Sequence, residues 1–191
     1  MKTINIISGL LLVLLLVVTA CGTNSGSGEN QPSNYRLNGA EYLLLGDASL
    51  KTSETTLEGV GKLVFSDPRL KEDNNYRLEF SLPNNGSVTL VANAEKDLSK
   101  GVEILFSREG SLLKVVMDGA DISEAFTEVD AAQTVTMAID VHAHGHAVFW
   151  PNGGAEIEEA FSTRPKAKFW GLIVKGALVS KAEVGDAVDV H

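Results

Sequence analysis

The chain has 191 residues, a single cysteine and a formal net charge of -9. A pI near 4.9 leaves no basic face for general nucleic-acid binding. One cysteine excludes an intrachain disulfide framework and any cysteine-rich zinc module, and 44% hydrophobic residues exclude long-range disorder. The first segment, Met1 to Ala20, reads as an export signal. Lys2 supplies the positive start, and Leu10 to Val18 is an unbroken apolar run of nine residues, too short to span a bilayer as a helix.

Val18-Thr19-Ala20-Cys21 follows that run and resembles the lipobox of bacterial lipoproteins: an aliphatic residue, two small ones, then cysteine. The resemblance implies cleavage before Cys21, diacylation of its sulfur and usually acylation of the new N-terminus. Each buried methylene contributes about 0.8 kcal/mol, so two or three acyl chains anchor stably where one is marginal. An ordinary secretory signal with a cysteine there by chance is the alternative. The expected location is the bacterial cell envelope, with the protein lipid-anchored. Gly22, where inner-membrane lipoproteins carry Asp, favours the outer membrane if the cell is Gram-negative. Gly22 to Asn34 holds no aliphatic or aromatic residue and reads as a flexible tether, with a reach of roughly 20 Å. Loss of Lys2 with the signal takes the charge from -9 to -10 (-9 - 1 = -10). That disfavours direct adhesion to an anionic bilayer, so the lipid is the expected membrane attachment.

Residues 35–191 are 157 residues, suited to one domain. Turn signals such as Asn84-Asn85-Gly86, Asp118-Gly119 and Asn152-Gly153-Gly154 punctuate short runs rich in Val, Ile, Leu, Phe and Thr. Tyr76, Leu78, Phe80 and Leu82 alternate with Arg77, Glu79 and Ser81. Val102, Ile104 and Phe106 alternate with Glu103 and Ser107. Val135, Met137, Ile139 and Val141 alternate with Thr134, Thr136, Ala138 and Asp140. Strands of this kind belong to antiparallel sheets with one face on a core. Phe169 to Val174 is apolar on both faces and reads as a central strand, while Trp150 and Trp170 read as core. Ile122 to Val129 and Glu156 to Phe161 space apolar residues three or four apart and are expected as short helical insertions. The fold class is all-β, a two-sheet antiparallel β-sandwich with one or two such insertions.

The succession NNYRLEFSLP (74–83), GSVTLVAN (86–93), VEILFSREGSLLKVVMDG (102–119), TVTMAIDVHAHGHAVFWPNG (134–153) and KFWGLIVKGALVSKAEVGD (168–186) resembles the concanavalin A-like lectin/glucanase jelly roll in its laminin-G-like form. The resemblance implies two curved sheets, often with a glycan-binding concave face, and a closing strand that returns to the other sheet.

His142-Ala143-His144-Gly145-His146 is the most conspicuous cluster. On one continuous strand His142, His144 and His146 would share a face and could hold zinc with a water in fourth place. Apolar parity, however, switches from odd positions up to Val141 to even positions at Val148 and Trp150, which demands a hairpin. A two-residue turn at His144-Gly145 pairs His142 with Ala147 and Val141 with Val148. In that register His142 and His146 fall on opposite faces, which favours a solvated hairpin tip over a metal centre. Phe149 then lies opposite Asp140 on the outward face. That is a stacking-plus-acceptor pair of the kind sugar sites use, and His142 joins Asp140 as a candidate ligand residue.

Glucanases of the resembled fold carry a Glu-x-Asp-x-(x)-Glu motif that supplies paired carboxylates. The closest match is Glu128-Val129-Asp130-Ala131-Ala132-Gln133, whose last acid is replaced by Gln133. Glu156-Ile157-Glu158-Glu159 reads as a solvated helix face. No Gly-x-Ser-x-Gly elbow, phosphate loop or dinucleotide fingerprint occurs. Asp118 and Asp140 are possible calcium ligands with simpler roles, as a turn residue and a solvent-facing strand residue; no other cofactor is expected. The expected function is a non-catalytic binding module for a glycan or an envelope partner. A glycoside hydrolase or lyase, and a structural or assembly subunit, are the alternatives.

Overall fold

The computed structural model describes residues 35–53, 55–67, 70–162 and 168–186. The export signal, Cys21 and the tether lie outside the described residues. Twelve strands are found among those described: β1 (Tyr35–Leu37), β2 (Ala40–Thr52), β3 (Leu57–Phe65), β4 (Asn74–Ser81), β5 (Ser87–Ala94), β6 (Val102–Glu109), β7 (Leu112–Met117), β8 (Ala120–Asp121), β9 (Thr134–His142), β10 (His146–Pro151), β11 (Ile157–Ala160) and β12 (Phe169–Asp186). All pairings are antiparallel.

β12 joins the two layers of the sandwich. Its first half, Phe169 to Lys175, lies between β3 and β5, and its second half pairs with β4. One layer therefore runs β1-β2-β3-β12-β5-β6-β7-β8, and the other β11-β10-β9-β4-β12. The strand changes layers through two irregularities, between Lys175 and Ala177 against β3 and between Val179 and Lys181 against β4. Gly176 takes φ +60 at the first, which no β-branched residue adopts comfortably.

The alternating residues meet between the layers. Tyr76, Leu78 and Phe80 of β4, Ile104 and Phe106 of β6, and Val135, Met137, Ile139 and Val141 of β9 are all fully buried. Aromatic pairs bridge the gap: Phe80 on Phe106 at 5.3 Å and Tyr76 on Trp170 at 5.5 Å between ring centroids. Each large side chain buried this way contributes about 1.5–3 kcal/mol. On the opposite face of the first layer, Val64, Val91, Ala94 and Leu98 form a second, smaller cluster with Leu43, Leu45, Phe169 and Ile173. This explains why Phe169 to Val174 is apolar on both faces.

The helical expectations fare unequally. Ile122 to Val129 contains a single 3-10 turn, Ser123–Phe126, which drives Phe126 into the core. Glu156 to Phe161 is not a helix but contains β11. Ile157 and Glu159 are half-buried while Glu158 and Ala160 are exposed, so burial follows period two. Pairing with β10 sets that period, from Phe149 opposite Ile157 to His146 opposite Ala160. A short, acidic edge strand suits the end of a sheet, because charge discourages further strand addition.

Candidate functional site

The β9–β10 hairpin differs from expectation by one residue. His142 pairs with His146, Val141 with Ala147, Asp140 with Val148 and Ile139 with Phe149. The loop is three residues, Ala143-His144-Gly145. The Gly145 N–H donates to the His142 carbonyl at 3.0 Å, and Gly145 takes φ +111. Because strand side chains alternate, a one-residue shift turns every β10 side chain over. Phe149 is therefore not an exposed sugar platform: it is fully buried, edge-on to Phe126 at 5.3 Å. Trp150, expected inside, is only half-buried. Asp140, expected to face solvent, is 1% exposed and accepts a hydrogen bond from Asn75 Nδ2 at 2.5 Å. Asn75 Oδ1 in turn accepts from Arg77 Nε at 3.0 Å. Asp140 thus completes a buried polar relay and is withdrawn from any surface site.

The same shift brings the histidines together. His142 and His146 stack at 4.2 Å between centroids with an interplanar angle of 16°. His144 lies 4.5 Å from His146 and 5.5 Å from His142. Asp73, at the entrance to β4, reaches the cluster. Its Oδ1 accepts from the Ala143 N–H at 2.7 Å and lies 3.9 Å from His142 Nδ1. Two imidazolium charges about 4 Å apart repel by about 1 kcal/mol in water and more at lower effective dielectric. Burial, followed by the neighbouring His142 and His144, holds the His146 pKa below the ordinary histidine value. A neutral imidazole offers a free nitrogen lone pair to a Lewis acid.

A second feature is a cleft of about 620 Å³ beside β12, lined by Asn38, Glu41, Phe65, Asp67, Trp170 and Glu183, among others. Trp170 is 1% exposed and stacked on Phe65 at 4.1 Å, and its Nε1 has no hydrogen-bond partner among the described residues. At the rim, Arg36 pairs with Glu41 at 2.6 Å and Lys181 with Glu183 at 3.3 Å. The cleft thus offers carboxylate and amide groups over a floor where Phe65 and Trp170 are already buried against each other, so its polar groups are what a hydroxyl-rich ligand would meet.

The chain shares its fold with a carbohydrate-binding module. The carbohydrate binding module CBM66 from Bacillus subtilis superposes with a TM-score of 0.57 at 14% identity, over 80% of this chain and 99% of the module. A sialidase gives a TM-score of 0.57 at 7% identity, over 76% of this chain but 17% of that enzyme. The receptor binding domain of botulinum neurotoxin type G gives 0.52 at 11% identity, over 79% of this chain and 44% of that one. At these identities the likeness establishes the lectin-like β-sandwich fold. No family model matches the chain. No curated protein matches it either.

The remaining expected residues fall apart. Glu128, Asp130 and Gln133 lie between the 3-10 turn and β9, where Asp130 forms an isolated bridge to Leu112 and accepts from the Ala132 N–H at 2.8 Å. They do not line a sheet face as the glucanase pattern requires. Asp118 is a turn residue at φ +48 whose Oδ1 accepts from the Glu103 N–H at 3.1 Å. It sits beyond β7 in one layer and Asp140 on β9 in the other, so they form no calcium pair. Asp73 and the cleft residues escaped the sequence. Asp73 lies 70 positions from Ala143, and nothing in the local pattern Lys71-Glu72-Asp73-Asn74 marks it.

Proposed function

We propose that this is a lipid-anchored envelope protein that presents a non-catalytic, glycan-binding β-sandwich. The observation that carries the binding half is the cleft beside β12, with its carboxylates and amide. The fold it shares with a carbohydrate-binding module over nearly the whole of that module supports the same reading. Glu41, Asp67 and Glu183 line the cleft, with Arg36 and Lys181 pairing Glu41 and Glu183 at the rim, which suits neutral sugars whose hydroxyls donate to carboxylates. The anchoring half rests on the sequence Val18-Thr19-Ala20-Cys21 after an h-region. A tether and an acidic surface leave the lipid as the attachment.

The test is binding of the full-length chain to an array of neutral and acidic oligosaccharides, followed by calorimetry on the hits. Neutral glycans should bind, and E41A or E183A should weaken binding about tenfold, the loss expected for one charge-assisted hydrogen bond. Absence of binding to every glycan would overturn the reading. Cys21→Ser should move the protein from the membrane to the soluble fraction; unchanged membrane attachment would refute the anchor.

A further inference from the structure

The tip of the β9–β10 hairpin carries a feature that the glycan reading does not use. Among the described residues, one group of three or more metal-ligating side chains has its donor atoms within 4.8 Å of one another: Asp73, His142 and His144. Two separate pieces of chain build it. His142 ends β9, His144 occupies the three-residue loop, and Asp73 enters from the segment before β4, held to the loop by the Ala143 N–H. The His146 ring lies flat against His142 and limits its rotation.

We infer that Asp73, His142 and His144 form a three-ligand site for a zinc-class divalent cation, with a fourth coordination position open to solvent. Two imidazole nitrogens and one carboxylate oxygen suit a borderline ion such as zinc, whereas calcium and magnesium ask for six or more oxygens. The spacing is close to what zinc needs. Ligand bonds of about 2.0–2.2 Å in a tetrahedron put neighbouring donors roughly 3.3 Å apart. His142 Nδ1 and Asp73 Oδ1 already stand 3.9 Å apart. His144 is exposed at the loop tip and can rotate without disturbing the core. The carboxylate is also oriented in advance, since Asp73 Oδ1 is fixed by a backbone N–H, the outer-shell support that metal-binding carboxylates commonly have. The bound ion would clamp the hairpin tip to the entrance of β4. Its open position would accept water or an oxygen or nitrogen donor from a ligand.

The experiment is calorimetric titration of zinc into chelator-stripped, full-length protein, with cobalt(II) absorption as a second readout. The expected result is one zinc per chain, tetrahedral-type cobalt bands, and a melting temperature raised by about 5–10 °C at zinc a hundredfold above its dissociation constant. H144A removes an exposed side chain and D73N keeps the shape of Asp73; each should weaken zinc at least tenfold. E124Q, an exposed carboxylate of the 3-10 turn and not a member of the cluster, should change nothing. Absence of stoichiometric zinc, or zinc binding that survives both H144A and D73N, would overturn the site. Glycan binding measured on the same variants separates this inference from the cleft.

Discussion

Asn93 stands where backbone and side chain make one demand. Trp170 of β12 faces two residues of β5 at this point, because Phe169 pairs with Ala94 and Gly171 with Val91. The extra residue makes a bulge, and Asn93 takes φ +49 within it. Its Oδ1 accepts from the Tyr76 hydroxyl and from Asn74 Nδ2, each at 3.0 Å, and its Nδ2 donates to the Glu72 carbonyl at 3.3 Å. Asn93→Ala should therefore lose about 1–3 kcal/mol for the orphaned buried groups and add strain at positive φ. Asn93→Gly should recover up to about 1 kcal/mol of that. Urea midpoints of the two variants check the order. Tyr76 belongs to the same network, and burial pushes its phenol well above the ordinary tyrosine pKa. An unfolded tyrosine ionises near pH 10 while the folded one stays neutral. The folded state then holds more protons than the unfolded state, and stability falls as pH rises above about 10. Tyr76→Phe should be less stable near pH 7, by about 1 kcal/mol for the lost hydrogen bond. It should also show a shallower stability loss between pH 10 and 11. An unchanged alkaline slope would remove Tyr76 as its source.

At the level of elements, Gly176 tests how β12 passes from one layer to the other. A Cβ there meets nothing closer than Gly86 Cα at 4.0 Å, so space is not the constraint; φ +60 is. Gly176→Val should cost about 2 kcal/mol, and Gly176→Asn, which tolerates the left-handed region, less than half as much. Thermal melts of the pair separate backbone strain from packing, since a purely steric site would rank them by volume. The strands themselves were legible in the sequence wherever one face was polar, as in β4, β6 and β9. The hairpin register was not. Ala147, Val148, Phe149 and Trp150 are all apolar, so alternation says nothing about which pair faces inward. Only the loop length decides it, and Ala143-His144-Gly145 differs from His144-Gly145 by one residue. That single residue buried Phe149 and Asp140 and gathered the histidines, so the error in the site followed from the error in the turn. Asp73 and the cleft were illegible for a different reason. They arise from contacts between distant segments, which local periodicity does not encode. β11 misled because Ile157 to Phe161 spaces its apolar residues as a helix would, while pairing with β10 imposes the period of a strand.

On the scale of the whole molecule, the last described strand completes both layers. β12 supplies Trp170, Leu172, Val174, Ala177, Val179, Ala182 and Val184 to the core. It also occupies the hydrogen-bonding edges of β3, β4 and β5. The five larger side chains alone account for roughly 8–15 kcal/mol of burial, at about 1.5–3 kcal/mol each. That is comparable with the entire net stability of a domain, about 5–15 kcal/mol. Without β12, three strands would present unpaired edges to solvent, and Phe65 and Tyr76 would lose the indole they pack on. A chain ending at Ser162 should therefore lack a cooperative thermal transition and near-UV dichroism. The missing strand is continuous and antiparallel to each neighbour, so a peptide of residues 168–186 added in trans should pair with the same edges. Its addition should restore both signals. A truncated chain that melts cooperatively alone would show that the layers close without β12. A truncated chain that stays unfolded with the peptide present would show that closure needs the covalent connection from β11.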